Sequence, residues 1–129
     1  MIVVDASTLI AALAGRPSRP GLTKRLASGR ELAAPHLVDV EVLHALRRLV
    51  LTGDLSPDRA RDARSDLEDL TIQRFPHWPL SRRVWRLRHN LTTYDAVYVA
   101  LSEALEVPLL TCDAKLAGAS GHQAKVELV

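Results

Sequence analysis

Two stretches of this chain end alike. Near the start, "IVVDAS" runs apolar and stops on a carboxylate, and late in the chain "PLLTCDA" does the same. A short, uninterrupted aliphatic run reads as a strand buried on both faces, and such strands belong to parallel sheets covered by helices. An acid at the end of such a strand is costly to bury unless something pairs with it. In open α/β sheets, ligands bind beyond the carboxyl ends of the strands, where the strand order reverses. Asp5 and Asp113 are therefore candidates for a single crevice.

The rest of the pattern agrees with a layered α/β architecture. Strands are expected over 2–4, 31–34, 71–75, 108–111 and 126–129, with helical periodicity between them. Residues 9–14 are apolar all round, which predicts a buried helix. Residues 37–51 form a long amphipathic pattern with Val38, Val42, Ala45, Leu46 and Leu49 on its core face. Ser56-Pro57 is a cap followed by proline at the first helical position. The helix after it carries an Ala60, Ala63, Leu67, Leu70 seam, and further helices are expected over 80–91 and 94–105. Alternating strands and helices predict a mainly parallel sheet in one domain spanning 1–129.

Composition narrows the function. The single cysteine, Cys112, excludes an internal disulfide and a cysteine zinc site, which fits a reducing, cytoplasmic setting. The N-terminal apolar run breaks at Asp5 without a basic leader, so no signal peptide is expected, and no stretch has the length of a membrane span. A net charge of +2 with a pI near 9.0 permits a nucleic-acid partner without requiring one.

Each acid has an ordinary explanation taken singly. Asp5 and Asp113 precede helical segments and suit N-caps, and Asp95 follows Thr92 at capping-box spacing. Jointly the caps explain less. Asp95 borders the apolar face of Tyr94, Val97, Tyr98 and Leu101, and Glu41 flanks the buried face of its own helix. Asp39 flanks that face too, and spacing alone does not choose between them. Carboxylates converging on one crevice repel, and a divalent cation relieves that repulsion. Acids and hydroxyls without a Cys/His set suit Mg²⁺ or Mn²⁺ rather than zinc.

The stretches "MIVVDAS", "LVDVEVLHALRRL", "LTTYDAVYVALSEAL" and "PLLTCDAKLA" together resemble PIN-domain ribonucleases, in particular the VapC toxins of VapBC toxin–antitoxin pairs. The resemblance covers essentially the whole chain. It implies a three-layer α/β/α fold with a five-stranded sheet in the order 3-2-1-4-5, which makes the first and fourth strands neighbours. It places the acidic catalytic set on Asp5, Glu41, Asp95 and Asp113, choosing Glu41 over Asp39. Asp5, Asp95 and Asp113 would hold Mg²⁺ or Mn²⁺, with Glu41 joining directly or through water. Ser7 and Thr111 fall where the family keeps small hydroxyl residues. It further implies hydrolysis of RNA phosphodiester bonds, a VapB-type antitoxin that inserts an arginine into the acidic pocket, and a homodimer.

An acidic centre needs positive charge elsewhere to hold RNA. Arg82, Arg86 and His89 form one stripe with Arg83 nearby, Arg47 and Arg48 form a pair, and Arg16, Arg19, Lys24 and Arg25 make a basic early segment. Arg88 is expected to meet an active-site acid, a phosphate or an ordinary ion-pair partner. Trp78 and Trp85 are read as core anchors, His36 and His44 as surface residues, and Cys112 as inert packing. Two alternatives stand beside this reading. One is a receiver-type phosphoacceptor module, although "VVDAS" offers one acid and the third strand ends without any. The other is a PIN-domain RNA-processing nuclease with no antitoxin.

Overall fold

The structure is a computed structural model and describes residues 1–15 and 20–129. Five strands form one sheet: β1 (Ile2–Val4), β2 (Leu32–Pro35), β3 (Ile72–Phe75), β4 (Leu109–Thr111) and β5 (Val126–Leu128). All neighbours are parallel, in the order β3-β2-β1-β4-β5. The apolar run at the N-terminus thus takes the centre, with Val3 opposite Ala33 on one side and Leu109 on the other. Residues 2–4 of β1 are wholly buried, as a central strand covered on both faces must be.

Seven helices connect and cover the sheet: α1 (Ala6–Ala14), α2 (Pro20–Leu26), α3 (Leu37–Leu51), α4 (Pro57–Asp69), α5 (Ser81–Arg86), α6 (Thr93–Leu105) and α7 (Ala114–Ala117). Crossovers between parallel strands are right-handed, so their direction decides which face each helix covers. The steps β1 to β2 and β2 to β3 move one way and put α1 to α4 on one face. The step β3 to β4 reverses direction and puts α5 and α6 on the other. Packing agrees: α1 lies against α3 and α4, while α6 lies across β1, β2 and β4 with α5 against it. The reversal falls between β1 and β4, which fixes the crevice beyond Val4 and Thr111. No described helix is long and apolar enough to cross a membrane.

Several local expectations change. The first helix begins three residues early, at Ala6, because the Asp5 side chain caps it by accepting from the Thr8 N–H. It is not buried all round: Ile10, Ala11 and Ala12 are half-buried, and Ile10 and Ala11 line a cleft against α3. Helix α2 forms where the sequence showed only basic residues, and Arg16 and Arg19 lie outside the described residues.

The helix expected over 80–91 is shorter. A 3-10 turn, Trp78–Leu80, leads into α5, and beyond Arg86 the chain runs through tight turns in which the Leu87 N–H reaches the Arg83 and Val84 carbonyls. Trp78 and Trp85 are not core anchors: they are 83% and 68% exposed. Arg83 sets the rotation of this segment. Its guanidinium holds both oxygens of Glu103 on α6 at 2.9 Å, so the Arg83 and Leu87 side faces inward and Trp85 faces out. The Arg83 fork and the Gln123 N–H together hold the Glu103 carboxyl below its usual range, although burial opposes them.

Candidate active site

Asp5 follows β1 directly and is 5% exposed, but it is not without partners. One carboxylate oxygen accepts from the Ser7 hydroxyl at 2.7 Å and from the Thr8 N–H at 2.9 Å. The other accepts from the Thr111 hydroxyl at 2.5 Å, across the junction with β4. Thr111 in turn accepts from the Asp113 N–H at 3.0 Å, and Ser7 accepts from the Cys112 N–H at the same distance. The two strand ends are therefore laced together by the two hydroxyl residues, and the orientation of Asp5 is fixed by three donors. Asp113 caps α7 through the Lys115 N–H and is half-exposed.

The other two acids come from helices on opposite faces of the sheet. Asp95 sits in the first turn of α6, after the Thr92 cap. Glu41 lies one turn into α3 and accepts at 2.6 Å from the hydroxyl of Tyr98 on α6. Asp39, the other acid on the same helix, is taken up elsewhere: Arg74 on β3 grips both of its oxygens at 2.6 and 2.7 Å. Two acids that periodicity left equivalent are thereby separated, one in an ion pair and one facing the crevice.

Asp5, Glu41, Asp95 and Asp113 act on one another electrostatically. Burial pushes the Glu41 carboxyl up, the Tyr98 hydroxyl pulls it down, and the negative charges of Asp95 and Asp5 push it up again, leaving a net rise. Burial and the charges of Asp113 and Asp5 raise Asp95, partly offset by Thr92 and Lys115. None of the four is salt-bridged among the described residues. Nor do three or more His, Cys, Asp or Glu side chains there lie grouped so as to hold a metal ion by themselves. Mutually repelling carboxylates with no salt bridge among the described residues suit a hard divalent cation, bound by few side chains and otherwise by water.

A cleft of about 760 Å³ opens beside this set between α1 and α3. Ile10, Ala11 and Val40 give it apolar walls, while Ser7, Glu41, Arg48 and His44, which is exposed as expected, supply polar groups. Arg47 and Arg48 do not work as a pair. Arg48 faces this cleft, whereas Arg47 lines a separate groove toward α4. Arg25 pairs with Glu127, and Arg82 and Arg86 stand exposed on α5. Arg88 meets no site acid: its guanidinium donates to the Trp85 carbonyl at 2.9 Å and lies 4.7 Å from the centre of that ring. Cys112 is half-buried at the end of β4, packed against the core.

Tyr98 is the residue that sequence reasoning missed. Its ring was legible as core, and it is 2% exposed. Its hydroxyl needs a partner when buried, and it sits three residues after Asp95 on the same helix face. Those two facts together pointed toward the acids. Burial and the adjoining Glu41 raise its own pKa far above the ordinary phenol value.

The PIN domain profile matches residues 2–121 of the chain. "Ribonuclease VapC1" of Mycobacterium tuberculosis is 48% identical over 128 residues, covering 98% of this chain and 96% of its own. "Ribonuclease VapC12" of the same organism is 38% identical over 129 residues, covering 100% and 99%. A solved toxin–antitoxin complex from Klebsiella pneumoniae contains a similarly folded chain, with a TM-score of 0.67 at 19% identity over 92% of each.

Proposed function

This chain belongs to the PIN-domain family, with VapC proteins as its relatives, and on that premise we propose that it is a divalent-metal-dependent endoribonuclease toxin. The observation that carries the reading is the set of hydrogen bonds at the ends of β1 and β4, where Thr111 joins Asp5 to the Asp113 amide, together with the Tyr98 hydroxyl on Glu41 and the Thr92 cap before Asp95. Asp5, Asp95 and Asp113 would hold Mg²⁺ or Mn²⁺, with Glu41 joining directly or through water. When bound, the cation supplies Lewis acidity toward the phosphodiester and positive charge against the pentavalent transition state.

The chain's own part is to fix the acids and admit the substrate. Ser7, Thr111 and the Thr8 N–H hold Asp5 in one orientation. Tyr98 holds Glu41 toward Asp95, and Thr92 anchors the first turn that bears Asp95. Such preorganisation removes reorganisation from the reaction itself. Arg48 beside the cleft, with the exposed Arg82, Arg86, Arg88 and Arg47, attracts phosphates against the acidity of the centre. Hydrolysis of this kind leaves a 5′ phosphate and a 3′ hydroxyl.

A VapB-type antitoxin is the proposed regulator, placing an arginine among the carboxylates where the cation otherwise sits; the solved complex with a similar fold supports a partner of this kind. A homodimer is the proposed assembly, and the cytoplasm the proposed place of action. The receiver-type alternative lacks its phosphoacceptor, because β3 ends on Phe75 without an acid.

Incubating the chain with total RNA and Mn²⁺, and mapping the cut ends, tests the reading. Cleavage is expected with Mn²⁺ or Mg²⁺, none in EDTA, and none from Asp5→Asn. Full activity of Asp5→Asn with metal present overturns it.

A further inference from the structure

The outward face of α5 and the turns that flank it contributes only a general attraction for phosphate through its arginines, and its two exposed tryptophans have no role in the site described above. Arg82 and Trp85 lie three residues apart on one side of α5, and Trp78 in the 3-10 turn before it and His89 in the turns after it are exposed as well. All four are exposed, as are Arg86 and Arg88. No described acid pairs with Arg82, Arg86 or Arg88. Two large aromatic rings in water, interleaved with unneutralised cations, gain nothing for the fold that smaller residues would not give.

We propose that this face is a stacking platform for an unpaired base of the RNA, with Trp85 as the ring that takes the base. The proposal rests on the ribonuclease reading and adds to it a contact outside the acidic centre. Arg88 covers one face of the indole at 4.7 Å and is held there by the Trp85 carbonyl. A cation so placed orients the ring and leaves its second face to a base, while Arg82 and Arg86 meet the flanking phosphates. Stacking of this kind requires a splayed base and is closed to a paired one.

Position supports the assignment. Helices α5 and α6 run antiparallel, with Arg83 opposite Glu103 at one end and the Thr92 turn into Asp95 at the other. Trp85 therefore lies on the order of 10 Å along the hairpin from the level of Asp95, within reach of a nucleotide or two from the bond to be cut. Charge selects the occupant: a face carrying Arg82, Arg86, Arg88 and His89 with no acid suits a polyanion better than a second copy of this basic chain.

Binding in EDTA, where cleavage does not intervene, separates the platform from the chemistry. The probes are a twelve-nucleotide single-stranded RNA and the same RNA annealed to its complement. Trp85→Ala is expected to weaken single-strand binding about tenfold and leave duplex binding unchanged, with Trp85→Phe recovering most of the loss. In a Trp78→Phe background, emission from Trp85 is expected to be quenched by the single strand alone. Equal loss on both RNAs, or no loss, overturns the platform. If the wild-type chain still cleaves RNA with Mn²⁺ under that outcome, the ribonuclease reading survives it. Loss of self-association in Trp85→Ala, seen by sedimentation velocity with RNA affinity intact, assigns the face to a second copy and also overturns the proposal.

Discussion

Replacing Thr111 by valine keeps the shape of a wholly buried side chain and removes one oxygen. That oxygen donates to Asp5 at 2.5 Å and accepts from the Asp113 N–H at 3.0 Å. A hydrogen bond to a charged group contributes about 1.5–3 kcal/mol. The Asp113 amide adds about 0.5–1 kcal/mol, because the residue is half-exposed and water can replace part of what it loses. The expected destabilisation is therefore about 2–4 kcal/mol. Folding persists, since domains of this size have roughly 5–15 kcal/mol in hand. With a urea slope of roughly 2 kcal/mol per M, the midpoint falls by about 1–2 M. Thr111→Ser keeps the oxygen and loses only a methyl, costing about 1 kcal/mol. Circular dichroism in urea at neutral pH compares the two. If valine costs no more than serine, the hydroxyl bridge between β1 and β4 contributes nothing net, and the account of how Asp5 is held fails.

Glu41→Gln is expected to abolish RNA cleavage, whereas Asp39→Asn leaves it intact and lowers stability by about 1 kcal/mol through the loss of a partly exposed pair; gel assays and urea midpoints read both. The pKa values of Asp95 and Glu41 are raised in the fold above their ordinary values of 3.8 and 4.5, so the folded protein binds more protons than the unfolded chain between those values and the raised ones. Stability from these groups is present below that window and lost as pH rises through it. In EDTA, the melting temperature of the wild type relative to Asp95→Asn should thus fall between the ordinary carboxylate range and neutrality, and a constant difference refutes it. Gly121 has φ near +87°, and a Cβ there would meet the Asn90 side chain at 2.9 Å. Gly121→Ala should cost about 1–2 kcal/mol, read as a lower urea midpoint.

The strands were legible to within a residue: β1, β2 and β4 are short apolar runs, while the edge strands β3 and β5 mix apolar with polar residues. Their parallel pairing followed from the alternation of strands and helices, and their order in the sheet from the family resemblance. The convergence of Asp5 and Asp113 was readable because it needs only the rule for strand ends. The choice of Glu41 over Asp39 was not, since Arg74, the residue that sequesters Asp39, lies 35 positions away. The two tryptophans misled for a similar reason. Their size argued for the core, but the rotation of α5 is set by a fork between Arg83 and Glu103, 20 positions apart. What sequence left out was pairing across long separations, which local patterning does not encode.

The bond between Asp5 and Thr111 joins residues 106 positions apart. During synthesis the first strand emerges early, and domains tend to fold as their parts appear. Its central place in the sheet nevertheless stays half-built until β4 arrives to pair with it. Asp95 and Asp113 are also made late. A growing chain therefore carries only Asp5 and Glu41 of the acidic set until Asp95 is made, about three-quarters of the way along. The proposed centre is thereby assembled only once β4 and Asp113 are available to fold, when nearly nine-tenths of the sequence has been made.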